Sequence, residues 1–585
     1  MPAAGDSQPE CDLNLGEGTM SVSSATTTAN GDNVLKRAID WKGAFWVASG
    51  VPALVVFSIG GIAGTVGIPA YTVWIVSMMM GFIQSFTYAE IAGLFPNKSG
   101  GASVYGAAAW LRYGKFIAPL SVWCNWVAWT PVLSLGSAIA AGYILNLMEP
   151  TPGADQLAAY IAQQTAAGNV VDEAAAAIAL MPIHNWSLFS INLGDVVSLS
   201  VNWTFFIGAI LMLLAFAIQH RGILGTASVQ TVVGLVIVIT LLIVGVVPFF
   251  NGNFHSENFS PFVPLAAAYA PEPGAWNITG WTLVLGGMFI AAWSTYGFET
   301  AVCYTSEFKN PSTDTFKAIF YSGLLCLVLF ILVPITFQGY LGLEGMLAGD
   351  IVAGTGVAHA MGAMVAGGSA IINTLFVFLM IAALILIIIT AMAGSSRTLY
   401  QGSVDGWLPR YLSHVNHNGA PTAAMWTDLV TNLILLSIAS VDATAYYFIL
   451  AVSNCGYIIF NFLNLNAGWI HRMDSGHVAR PYKAPTFILA LGGIFAFVNA
   501  MFMGAGAKVW NPVALWWGLG IAALIIPVFA FRHYVQDKGQ FPPRMLEDLG
   551  LKAGDLGQKK AGILPYVVLV AGLAVVLISN WIFTI

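Results

Sequence analysis

The residues best suited to chemistry in this chain are few, and they sit inside apolar stretches. Glu299 closes the segment AAWSTYGFET (291–300), where Ser294, Thr295 and Gly297 interrupt an otherwise apolar run. A carboxylate in such surroundings carries a proton or meets an ammonium group. A second interruption, GGIAGTVG at 60–67, places four glycines in eight positions, and each costs a helix about 1 kcal/mol relative to alanine. Where a helix unwinds, its freed N–H groups suit a carboxylate and its freed C=O groups suit an ammonium or a cation. A small zwitterion satisfies both. The expected binding residues are therefore Gly60, Gly61, Ile62, Ala63, Gly64 and Thr65 in one break, with Trp293, Ser294, Tyr296 and Gly297 in the other. Gly60 and Gly64 also make a GxxxG, whose other use is close helix packing. Trp293 is the expected gate, able to close over a ligand and meet its ammonium through a cation–π contact worth up to about 2 kcal/mol.

Other chemistries lack their residues. The nine histidines (184, 220, 255, 359, 414, 417, 471, 477 and 533) fall in polar connections or at the ends of apolar runs. A haem-carrying membrane oxidoreductase needs axial histidines within its helices. His414 and His417 make only a weak metal spacing, and the five cysteines form no CxxC, so they read as small apolar core residues. No GxxxxGK[ST], HExxH or GxSxG occurs, which removes ATP-driven pumping and the common membrane hydrolases. The expectation is a chain that is not an enzyme and holds no cofactor and no metal. Glu90 and Asp428 lie near the ends of apolar runs, where hydrogen bonding at an interface is their expected role.

The elements that must position these residues follow from composition. Of 585 residues, 58% are hydrophobic and 8% charged, against roughly 25% charged in soluble domains. The net charge of −6 is thinly spread, with no basic tract to bind nucleic acid. Residues 1–38 are rich in Ser, Thr, Ala, Gly and Asp and read as a disordered tail on the cytoplasmic side, without the apolar centre of a signal peptide. A bilayer core needs about 20 apolar residues of helix. Thirteen runs qualify: 44–70, 72–95, 117–147, 201–219, 223–250, 281–303, 318–342, 371–394, 422–441, 445–469, 486–506, 513–531 and 563–583. The tightest reversal falls at Ile68-Pro69-Ala70-Tyr71. With the amino terminus inside, 20 of the 21 Lys and Arg residues are cytoplasmic and only Lys508 is outside. That partition is what the positive-inside bias demands.

The first ten runs divide into five plus five. An odd number per half makes the second half enter from the opposite face, which is the arithmetic of an inverted repeat. The two interruptions fall in the first run of each half.

Several segments carry a resemblance. They are GGIAGTVG at 60–67, FTYAEIAGLFPNKSGGASVYGAAAWLRYG at 86–114 and YGFETAVCYTSEFKNP at 296–311, then SSRTLYQGSVDGWLP at 395–409 and RPYKAP at 480–485. In this order and at these positions the chain resembles the amino acid–polyamine–organocation transporter superfamily over roughly residues 40–485. The first motif differs from that family's usual pattern, with its last glycine one residue later and no following aromatic. The resemblance implies an all-α polytopic membrane protein of five-plus-five inverted-repeat, leucine-transporter-like fold, with two or three extra C-terminal helices. It places the repeats at 39–250 and 281–470 and the additional helices at 486–585. It implies a permease of the cell membrane that moves an amino acid or related amine by alternating access. Glu299 is then the expected coupling residue for a proton. Ser395 and Ser396, beside the first run in such a fold, are candidates for a sodium site or for capping a helix end. The fifth run contains no Lys that might replace a cation, so the partners are a small amine, lipid and H+ or Na+. Sodium-coupled transport, exchange of a polyamine, a channel and a non-transporting sensor are the alternatives.

The charge partition makes a prediction about orientation. Asn169→Cys should be labelled by a membrane-impermeant thiol reagent added outside intact cells, and labelling confined to inside-out vesicles would reverse the topology.

Overall fold

The computed structural model describes residues 35–583, apart from 151, 168, 170, 171, 195, 196 and 552–555. Most of the tail expected at 1–38 therefore lies outside the described residues. All thirteen apolar runs are helical. Twelve helices are long and apolar enough to cross a membrane. They are Trp41–Val66, Ala70–Gly93, Ile117–Met148, Ile223–Phe249, Ile278–Glu307 and Pro311–Met346, followed by Ala370–Val404, Thr422–Ala439, Ala443–Asp474, Thr486–Trp510, Ala514–Gln536 and Leu564–Ile582. The remaining run is Trp203–Gln219, an apolar helix of 17 residues. At 1.5 Å per residue it rises about 25 Å, within the lower range of membrane-spanning lengths. Counting it fourth, the spans are numbered first to thirteenth in chain order below. The protein is an all-α polytopic membrane protein. Among the described residues its only sheet is a hairpin of β1 (Ser187–Asn192) and β2 (Ser198–Asn202).

The first span is broken, but not where its glycines suggested. An α-helix covers Trp41–Val47, a 3-10 turn covers Val51–Leu54, and the α-helix resumes at Val55–Val66. Gly60, Gly61, Ile62, Ala63, Gly64 and Thr65 lie in regular helix, which corrects the expected unwinding at 60–67. The physical reason lies in the neighbours. At the real break, Pro52 supplies no N–H, and the Thr390 hydroxyl of the eighth span donates to the freed Val47 carbonyl at 2.8 Å. Gly50 presses on that span, for a Cβ there would stand 2.9 Å from the Leu386 carbonyl oxygen. The later glycines serve packing. A Cβ on Gly61 would meet the Tyr447 hydroxyl at 2.5 Å, and one on Gly64 the Tyr269 ring at 2.7 Å. The Tyr269 N–H donates to the Gly64 carbonyl at 2.6 Å, so a connecting loop lies directly on this face. The reversal after the span turns on Gly67, whose φ of +80° favours glycine.

The sixth span breaks where the sequence suggested. Its α-helix runs Ile278–Thr295 and gives way to 3-10 helix over Gly297–Glu307. Runs of 3-10 helix beyond 3–4 residues are uncommon, and outside partners hold this one. Tyr105 Oη donates to the Val302 carbonyl at 2.8 Å, and the Gly100 N–H to the Cys303 carbonyl at 3.0 Å.

One further expectation is corrected. Ser395 and Ser396 do not end the eighth span, which stays helical from Ala370 to Val404. Asp428 is fully buried between spans in the second turn of its helix.

The packing role of the glycine run is testable. Gly64→Leu should drive a side chain into Tyr269 and cost about 1–3 kcal/mol or more by overpacking. Gly493→Ala, with nothing within 4 Å of the new methyl, should be neutral. Thermal unfolding of the purified variants in detergent checks both.

Candidate functional site

The two breaks meet at the centre of the bundle. A Cβ on Gly297 would lie 3.1 Å from the Leu54 side chain and 3.2 Å from that of Val51. One turn farther on, the hydroxyls of Ser58 and Ser294 are hydrogen-bonded at 2.9 Å. Trp293, Ser294 and Gly297 thus gather around residues 51–58, while Tyr296 turns toward Gly81 and Asn499 and Glu299 toward the third span. Gly60–Thr65 continue the helix beyond them, toward Tyr269 and Tyr447. The helix start that the sequence reading missed has a visible signal, Pro52 directly after Ser49-Gly50-Val51.

The third span supplies the rest of the site. Trp129 Nε1 donates to Glu299 Oε1 at 3.1 Å. Trp293 Nε1 donates to the Ala128 carbonyl at 2.9 Å, which fixes the indole between Phe57 and Trp129. Tyr457 stands edge-on to Trp129 with centroids 5.3 Å apart, and faces Tyr296 at 5.9 Å. Glu299 is 1% exposed, and Asn125 of the third span faces it beside Trp129. Tyr457 Oη, buried in the same aromatic cluster, has no hydrogen-bond partner among the described residues. An unmade hydrogen bond on a buried group costs about 1–3 kcal/mol, so a polar ligand gains there.

The opposite flank of the third span holds a second carboxylate. Asp428 Oδ1 accepts from Trp126 Nε1 at 2.6 Å and from Thr130 Oγ1 at 3.1 Å. Its Oδ2 accepts from Ser395 Oγ at 2.6 Å. Asn432 Nδ2 donates to Thr130 Oγ1 at 2.8 Å, and its Oδ1 takes the Ser134 N–H at 3.1 Å, just past the interruption at Pro131. So Asn125 and Trp129 face one carboxylate while Trp126 and Thr130 face the other. The two differ in kind. Asp428 has three donors and reads as a clamp on the third, eighth and ninth spans. Glu299 has its two neutral partners, Trp129 and Asn125, from the third span alone. Ser396 Oγ is spent within its own helix, on the Met392 carbonyl at 2.6 Å.

Ion pairs close the end of the bundle where the amino terminus enters. Arg397 holds Glu307 through two hydrogen bonds of 2.5 and 3.1 Å, both side chains fully buried. Arg472 and Arg480 grip Glu90 at 2.5 and 2.7 Å, so Glu90 has the interfacial role its position implied. Lys98 meets Asp405 at 2.7 Å, where burial pushes the carboxyl up from its ordinary range while the lysine pulls it down. Among the described residues no group of three His, Cys, Asp or Glu is placed to hold a metal.

A family described as amino acid permease matches residues 39–526. The branched-chain amino acid permease BcaP of Lactococcus lactis subsp. cremoris (strain MG1363) is 24% identical over 328 residues, covering 54% of this chain and 64% of the relative. The vacuolar cationic amino acid transporter 4 of Arabidopsis thaliana is 28% identical over 262 residues, covering 44% of this chain and 35% of the relative. The chain spans less than two thirds of the length of either relative.

The Arg397–Glu307 pair gives the next prediction. Arg397→Ala strands a buried carboxylate and should cost about 3–5 kcal/mol. Adding Glu307→Gln should recover much of that loss, as read by thermal unfolding of the single and double variants.

Proposed function

This chain belongs to the amino acid permease family, and we propose that it is a secondary active transporter of an amino acid or related amine, working by alternating access. Residues 39–250 and 281–470 form the two inverted repeats on this reading, and 486–585 carry the additional helices. The amino terminus is cytoplasmic and the membrane is the cell membrane, in keeping with the basic-residue partition.

The observation that carries the mechanism is the burial of Glu299, with only neutral donors and no basic partner among the described residues, beside the crossing of the two breaks. The substrate sits between residues 51–58 and the turn at Trp293–Gly297, its ammonium toward Glu299 and the rings of Trp129, Trp293 and Tyr457. Free amide groups of the breaks take its carboxylate. Trp293 closes the site. The buried ion pairs on the cytoplasmic face hold the closed state, and they separate when the site opens inward. Gly60 to Thr65 shape the outer packing of the first span and act on the substrate only through it.

Proton coupling is favoured over sodium. Ser395 Oγ is committed to Asp428 and Ser396 Oγ to its own helix, whereas Glu299 is a buried carboxylate held by neutral donors alone and can take up a proton. Glu299→Gln keeps the shape and one hydrogen bond but cannot titrate. In proteoliposomes with imposed proton or sodium gradients, this variant should lose proton-driven accumulation while exchange of internal for external substrate survives. Accumulation with an unchanged pH dependence removes Glu299 from coupling. Absence of any saturable uptake by the unaltered protein favours a sensor instead.

A further inference from the structure

We infer that the β1–β2 hairpin is a membrane-docking element, which lays its apolar face on the lipid interface at the face of the bundle opposite the amino terminus. The register pairs Phe189 with Val201, Ile191 with Leu199, Ser190 with Ser200 and Asn192 with Ser198. Directly paired residues share a face of a sheet. One face is therefore Phe189, Ile191, Leu199 and Val201, and the other is Ser190, Asn192, Ser198 and Ser200.

The polar face is internally satisfied. Ser190 and Ser200 hydroxyls are hydrogen-bonded at 3.1 Å, and Ser198 Oγ donates to Asn192 Oδ1 at 2.9 Å. The hairpin attaches to the bundle through β2. Asn202 Nδ2 donates to the Ser440 carbonyl at 2.9 Å, and Ser440 Oγ to the Ser200 carbonyl at 3.1 Å. Ser200 is buried, whereas Phe189 is 44% and Ile191 48% exposed. The hairpin touches the bundle through Ser200, while both faces of β1 are open and its exposed apolar side chains, Leu188, Phe189 and Ile191, have no cover from the protein.

Continuity with the lipid-facing surface names the occupant. Trp186, just before β1, packs tilted against Trp203 with centroids 5.2 Å apart and lies 6.3 Å from Phe206. Those two residues begin the exposed stripe of the fourth span, which continues through Ile210 and Leu213 at helical spacing. Leu193 and Val197 at the hairpin end border an apolar cleft of about 610 Å³ between the third, ninth, tenth and twelfth spans. From Trp186 to Phe206 the only charged residue is Asp195. Tryptophans flanking a span belong at the headgroup level, and an uncharged surface suits zwitterionic lipid. At that depth water still reaches the free edge of β1, which the hydrocarbon would not allow.

The test places an environment-sensitive fluorophore at Ile191→Cys and, separately, at Ser190→Cys, with Cys11→Ser to remove the other labelling site outside the buried cysteines. The proteins are reconstituted in phosphatidylcholine vesicles carrying a headgroup-level nitroxide lipid. The label at 191 should be quenched several-fold more by the nitroxide lipid than the label at 190, and the ranking should reverse with aqueous iodide. Equal quenching at both sites, or iodide quenching at 191 as strong as at 190, overturns the assignment. So does protection at 191 that vanishes on diluting protein in the bilayer, because a second copy of the chain is then the occupant. Reading the same labels in detergent, where both variants should be monodisperse, separates misfolding from failure to dock.

Discussion

Inside a bilayer every backbone polar group must find its partner within the protein, and this constraint decides where the helices break. The break at Ala48–Leu54 exists because the eighth span brings Thr390 to the Val47 carbonyl. Gln230 of the fifth span in turn donates to Thr390 Oγ1 at 2.7 Å, so three spans cooperate to make one interruption tolerable. The sixth span repeats the arrangement with different parts. Tyr105 and Gly100, from the segment after the second span, take up carbonyls at 302 and 303. Broken helix is stable here only as a product of the whole bundle.

Charge obeys the same constraint with a stricter outcome. Wherever Lys or Arg meets a carboxylate among the described residues, the pair lies at the amino-terminal face, and it is hydrogen-bonded on several sides. Deeper in the bundle the carboxylates have no basic partner and depend on neutral donors. Asp428 is fully supplied and ties three spans together. Glu299 is held by neutral donors of the third span alone, and the ring of Trp129 covers it. The third span links the two because adjacent side chains on a helix point to different flanks. Residues 125 and 129 therefore serve one carboxylate while 126 and 130 serve the other.

The spans themselves were legible in the sequence, as was the alternation of basic and base-free connections between them, because length and composition are local properties. The sixth-span break was legible too. Ser294, Thr295 and Gly297 weaken a helix wherever they stand, and Glu299 beside them has little reason to occur in an apolar run. The position of Asp428 in a run was visible, while its three donors, from two other spans, were not.

The first span marks the boundary between the two kinds of information. Four glycines in eight residues establish that something must come close to the backbone there, and the sequence alone determined that much. Glycine has two uses, unwinding and close packing, and the choice depends on what lies opposite. Unwinding requires a partner for each freed carbonyl. Thr390, 343 residues away in the chain, reaches Val47, whereas the Gly61 and Gly64 faces meet the rings of Tyr447 and Tyr269. Only the tertiary structure, by bringing those groups together, decided that the chain unwinds at 48–54 and stays helical at 60–66.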